Sequence, residues 1–237
     1  RIYLILPAPP PSTLNLRVHG GSSGGCAAGA AGTVLLTTGL VLTVDNSDVA
    51  ADCAVTPYPT TLIALLVTVT RSAVLRFPSD GRSLRDVHVS DRALFMVSAG
   101  YSVLTVSTLT VGSHGVVGCA TCEQSLRAKN KIVGCNDTCV PLQLTATQVD
   151  LQANGTMQGL SVLVTANTVV SSAGSHIVSS HPSESSSATL TISSDIFLDG
   201  EVVMSTIKII SSGSATVGAA SQVDASGLGY HGGVGAG

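Results

Sequence analysis

The stretch LQLTATQVDLQANGTM, residues 142–157, is followed twenty positions later by VLVTANTVVSSAGSHI, residues 162–177. Leu144 falls on Val164 and Val149 on Val169. LTISSDIFLDGEVV (190–203) and IKIISSGSATVGAASQV (207–223) are looser copies, with the insertion SSHPSESSS between the second copy and the third. Upstream, LTVSTLTVGSHGVV (104–117) reads as another copy and VHVSDRALFMVSAG (87–100) as one more. Each has the form L-x-V-x-x-x-x-V-x-L-x-x-x-G. Alternation inside each short strand puts Leu, Val and Ile on one face and Thr, Ser and Asp on the other. A Gly, Asn or Ser cluster then turns the chain. Strands this short cannot bury an apolar face alone, but stacked copies build a continuous core. The expected fold is therefore all-β, a parallel β-helix or β-solenoid. An antiparallel β-sandwich is the alternative, since it also shows short, evenly spaced strands.

Composition agrees with an all-β chain. Among 237 residues, 44% are hydrophobic but only 3% aromatic, and Trp is absent, so aliphatic side chains must fill the core. Charged residues are 11%, against roughly 25% in ordinary soluble domains. With a net charge of −3 and no basic stripe, nucleic-acid binding is not expected. The apolar run TLIALLVTVT (61–70) is too short for a membrane helix, so no span is expected in this segment. Opening directly on RIYLIL, the chain reads as an internal segment of a longer one.

Three regions are expected. Residues 1–117 are an irregular first part of the solenoid, with the Pro-rich PAPPPS (7–12) and a Gly-rich tract at Gly20–Gly32. Within it VAADCAVTPYPTT reads as a loop and FPSDGRSLRD (77–86) as a solvated turn. Residues 118–141 are a Cys-rich insertion, and 142–237 are regular repeats ending in a Gly-rich coil.

The candidate site residues are six cysteines and two sequons. Cys119, Cys122, Cys135 and Cys139 have a spacing superficially like that of a zinc site. The sequon NDT at Asn136, inside that cluster, favours an oxidised, secreted setting and hence disulfides. Four cysteines allow three pairings, of which the nested Cys119–Cys139 with Cys122–Cys135 is preferred. Cys26 and Cys53 could meet on neighbouring rungs. The second sequon is NGT at Asn154. PAPPPS and HPSESSS could carry O-linked sugars.

No catalytic, cofactor or metal residues are expected. The literal G-x-G-x-x-G at Gly227, Gly229 and Gly232 is followed by GGVGAG, which opposes the helix that a dinucleotide fingerprint requires. Asp150, Asp195, Asp199 and Asp224 adjoin inward positions and should point outward. Polysaccharide-cleaving β-helix enzymes display carboxylates on such faces, yet acid–base work needs a pair and no strand here carries two. The six histidines share no ligand spacing.

With these segments in view, GGSSGGCAAGAAGTVLL and VDASGLGYHGGVGAG resemble the Gly-rich coils of very large extracellular β-helix proteins of protists and algae, among them components of mastigonemes, the filaments coating cilia. The resemblance covers those two segments and, in repeat style alone, the middle. It implies a secreted, glycosylated, structural protein at the cell surface, without catalysis, whose partners are other copies or subunits of a filament. The alternatives are a pectin-lyase-like enzyme or a carbohydrate-binding adhesin module.

Overall fold

The computed structural model describes residues 2–4, 32–36, 40–48, 55–58, 66–78, 83–97, 103–112, 114–118, 142–159, 161–179 and 186–225. Their strands, in chain order, are β1 (Ile2–Leu4), β2 (Gly32–Leu36), β3 (Val41–Asp45), β4 (Thr56–Pro57), β5 (Leu66–Thr70), β6 (Val74–Phe77), β7 (Ser83–Val89), β8 (Leu94–Val97), β9 (Val103–Val111), β10 (Val116–Gly118), β11 (Leu142–Leu151), β12 (Thr156–Gly159), β13 (Ser161–Ser171), β14 (His176–Ser179), β15 (Ser187–Ile192), β16 (Ile196–Leu198), β17 (Glu201–Val203), β18 (Thr206–Ser211), β19 (Ala215–Val217) and β20 (Gln222–Asp224).

Two sheets run along the molecule. The long one is ordered β1-β2-β3-β5-β7-β9-β11-β13-β15-β18, with β16 and β19 extending it beside β13. The short one is ordered β20-β17-β14-β12-β10-β8-β6-β4. From β3 onward, strands of the two sheets alternate along the chain, with β15–β16 and β18–β19 each counting as one split strand, so each coil contributes one rung to both. From β3 onward every pairing in the long sheet is parallel. Parallel neighbours need a crossover between them, and here the other sheet supplies it. This is a β-solenoid, and the sandwich alternative falls. Among the described strands the β2–β3 pair alone is antiparallel, with Val34 opposite Thr43.

The twenty-residue offset becomes a ladder in which equivalent residues stack. One inward row runs Leu42, Val67, Val87, Leu109, Val149, Val169, Ile196, each paired with the next. All seven are at most 2% exposed. Burying such a side chain contributes about 1.5–3 kcal/mol, so stacked rows supply the cohesion that no single short strand has. In the short sheet the equivalent row is Leu75, Phe95, Val117, Met157, Ile177, Val202. At its early end Tyr58 packs edge-on against Phe77 at 5.0 Å, and Phe77 stacks with Phe95 at 5.6 Å.

The unassigned middle of the repeat formula is a corner. Along β11, Ala146 and Val149 are buried, while Thr147 and Gln148 between them both face out. Alternation therefore changes phase and the strand bends. β13 passes through the same corner as one strand, and in the coil after it the corner splits the strand into β15 and β16, with Ser193–Asp195 between them.

Two local expectations are corrected. VAADCAVTPYPTT is not wholly loop, because Thr56–Pro57 forms β4 on the edge beside β6. A proline is tolerated at such an edge. Ser83–Asp86 of the supposed solvated turn lies in β7, with Leu84 buried at 4%. Residues 119–141 intervene between β10 and β11, yet β9 and β11 are direct neighbours, Leu104 opposite Leu144. The ladder thus continues directly from the coil before these residues to the coil after them.

Candidate functional site

The outward carboxylates are the first groups to place, because paired carboxylates would mark an enzyme. Asp150 lies in a row between Thr110 and Val170, so neither neighbour in the ladder is acidic. Gln152 Nε2 donates to its Oδ2 at 3.2 Å. Asp195 sits at the long-sheet corner and reaches to the following coil. Its Oδ1 accepts from the Ser214 hydroxyl at 2.5 Å and from the Ser214 N–H at 2.9 Å, and Ser194 adds a bond at 3.3 Å. These bonds, the Ser214 hydroxyl first, hold the Asp195 carboxyl below its ordinary value. Asp199 likewise accepts from the Ala220 N–H at 3.0 Å. A Cβ at Gly218 would fall 2.1 Å from that Asp199 oxygen, so glycine makes room for the bond. Asp224 accepts from Gln222 Nε2 at 3.3 Å. Asp195 and Asp199 therefore act as clamps from one coil to the next.

The densest charge lies elsewhere, at the turn joining the long sheet to the short one in the early coils. Arg71 pairs with Asp45, and Arg92 with Asp48 at 3.2 Å. The Thr70 hydroxyl donates to Asp91 at 2.8 Å, and the Ser47 N–H to Asp45 at 2.7 Å. The bond to Asp45, reinforced by the charges of Asp48 and Asp91, raises the Arg71 guanidinium above its ordinary value. Both central residues of three successive turns have positive φ: Ser47 and Asp48, Arg71 and Ser72, Asp91 and Arg92. Sequence reading missed this cluster. Its signal is the echo of TRSA (70–73) in SDRA (90–93), with an Arg displaced by one position.

On the outside of the short sheet, His176 Nδ1 and Glu201 Oε2 lie 2.7 Å apart on adjacent coils, both half-exposed. Among the described residues no group of three or more His, Cys, Asp or Glu could hold a metal ion. Among them, too, no helix is long and apolar enough to cross a membrane.

Asn154 is the one sequon asparagine within the described residues. It is exposed, at the left-handed position of the 152–155 turn with φ 62°, and its N–H donates to the Gly174 carbonyl at 2.9 Å. Cys26, Cys53, Cys119, Cys122, Cys135, Cys139 and Asn136 lie outside the described residues, as do the terminal glycines, PAPPPS and residues 181–185 of HPSESSS; of that tract's last two serines, Ser186 is buried and Ser187 opens β15.

No family model, curated protein or solved structure matches this chain.

Proposed function

We propose that this chain is a structural segment of a secreted, cell-surface filament protein, of the mastigoneme kind that its Gly-rich segments resemble. The observation that supports the reading is the unbroken stack of equivalent residues from Leu42 to Ile196. Stretching such a rod along its axis must break many ladder hydrogen bonds and apolar contacts together, so the stack resists extension as a unit. Polar side chains at its corners serve the same end, since Asp195, Asp199, Arg71 and Arg92 each tie one coil to another. A carboxylate engaged in this way is poorly placed for proton transfer to a substrate. Disulfides among the six cysteines and glycans at Asn136 and Asn154 would complete a surface suited to an oxidising exterior.

Mass spectrometry and electron microscopy of the protein secreted from eukaryotic cells test the reading. Rods or filaments, no free thiols, and glycans on Asn136 and Asn154 are expected. Six free thiols with bound zinc, or turnover of a polysaccharide, would overturn it.

A further inference from the structure

The outward face of the long sheet carries a row of threonines in strict register. Thr105 pairs with Thr145, Thr145 with Thr165, and Thr165 with Thr191. A second row runs beside it along the corner, at Ser107, Thr147, Asn167 and Ser193, all exposed. No position in either row is ionisable. The residues alternating with the threonine row are buried: Leu104, Leu144, Val164 and Leu190 on one side, Val106, Ala146, Ala166 and Ile192 on the other. The outward groups are thus fixed to a rigid core. Threonine adds a stiff χ1, which sets hydroxyl and methyl directions before any ligand arrives. In the second row the Ser193 hydroxyl donates to Asn167 Oδ1 at 2.9 Å, while among the described residues no such bond joins the four threonines. Thr145 and Thr165 are exposed, and Thr105 and Thr191 partly so.

The geometry is a grid rather than a stripe. Strands repeat every roughly 4.8 Å along the rod, and residues i and i+2 lie about 6.7 Å apart across it. A partner complementary to this grid must be uncharged, must both donate and accept hydrogen bonds, must tolerate methyl groups, and must itself repeat in two directions. Crystalline water meets all four conditions. The basal repeat of hexagonal ice falls within a few tenths of an ångström of the rung spacing of about 4.8 Å. A crystalline polysaccharide meets the hydrogen-bonding conditions, but sugar rings are gripped chiefly by aromatic faces, and both rows are without them. We propose that this threonine face binds ice, ordering surface water into a layer continuous with the crystal and slowing its growth. The proposal is independent of the filament reading, which rests on the inward stack and the ties between coils.

The test freezes the full chain in sucrose solution and follows grain growth in polycrystalline ice. Wild type is expected to suppress growth, and Thr145→Lys with Thr165→Lys to need a roughly tenfold higher concentration, because each inserted charge must be desolvated against the lattice. Thr216→Lys, exposed on β19 outside the two rows, should behave as wild type. Circular dichroism checks that each variant folds. Should the lysine pair not fold, Thr145→Ser with Thr165→Ser keeps the hydroxyls but loses the methyls and the stiff rotamer, and should weaken suppression measurably. Grain growth unaffected by wild type, or suppressed equally by a folded face variant, would overturn the proposal. So would wild-type binding to insoluble cellulose or chitin that the lysine pair abolishes while ice is untouched.

Discussion

The turn between the two sheets is built one way in the early coils and another way in the later ones. At 70–73 and 90–93 the first carbonyl accepts from the fourth N–H, at 3.2 Å from Ala73 and 3.0 Å from Ala93. The same bond closes 152–155 and 172–175, at 2.9 Å from Gly155 and 3.0 Å from Ser175. Between those ends the chemistry differs. The early turns hold Arg71, Ser72, Asp91 and Arg92 at positive φ, where glycine or asparagine is the ordinary choice, and offset that strain with charge from coil to coil. The later turns have a positive φ only at Asn154 and Gly174, residue types suited to it, and carry no charge. One backbone bond is thus compatible with two side-chain solutions. The early turn relies on electrostatics and the later one on close approach.

Close approach gives the largest expected effect. A Cβ at Gly155 would lie 2.2 Å from the Val111 carbonyl oxygen, a backbone atom held in the ladder. The equivalent residues Ala73 and Ala93 accommodate a Cβ while fully buried. Gly155→Ala should therefore destabilise the chain by about 1–3 kcal/mol, as overpacking does. Ala93→Gly at the same turn position should stay within about 1 kcal/mol. Thermal unfolding of both variants measures the contrast, and equal losses would show that the two turns share one packing after all.

Charge gives the next effect. Asp45 is 13% exposed and would lose its guanidinium in Arg71→Met, while the aliphatic stem is kept. A hydrogen bond to a charged group is worth about 1.5–3 kcal/mol when buried; with Arg71 40% exposed, solvent screening reduces the expected loss to about 1 kcal/mol. That loss should shrink in high salt, whereas the Gly155→Ala loss should not. Chemical denaturation at two ionic strengths separates them.

Strain gives a smaller effect of opposite sign. Ser72→Gly relieves a left-handed residue by about 1 kcal/mol, less about 0.5 kcal/mol of added unfolded-chain entropy, a net gain near 0.5 kcal/mol. The same replacement at Asn154 should gain less, since asparagine already suits φ 62°. A melting temperature raised at 154 as much as at 72 would remove the distinction.

The later coils were legible because their turns obey local rules. Gly155, Asn154 and the alternation on either side of the corner in Leu142–Leu151 mark strand and turn directly. The early coils were harder because Arg71-Ser72 and Asp91-Arg92 are poor turn residues on local grounds, and only contacts between coils make them workable. Ser83–Asp86 was misread for the same reason. Three of its four residues are polar and face out or sit half-buried, and one buried leucine at 84 places it in the ladder. Outward carboxylates were legible as outward, but not as clamps, because their partners lie about a coil away in sequence, Ser214 for Asp195 and Ala220 for Asp199.

Those clamps yield the smallest and most specific prediction. Asp195 is fully exposed, so no large energy attaches to it, but its titration has a defined sign. Its carboxyl is held below its ordinary value by the Ser214 hydroxyl and N–H, so the folded state prefers the charged form more than the unfolded chain does. The contribution is complete above the unfolded carboxyl's range, near pH 4, and is lost as pH falls through the depressed folded value. The early turn, by contrast, is tied by a guanidinium that stays protonated throughout. Asp195→Asn should therefore flatten the acid limb of stability below about pH 4, with a loss at neutral pH smaller than that of Arg71→Met. Ser214→Ala, which removes the hydroxyl but keeps the N–H bond, should flatten it in part. Stability followed from neutral pH into acid distinguishes these outcomes, and an unchanged acid limb in Asp195→Asn would show that this bond does not hold the later coils together.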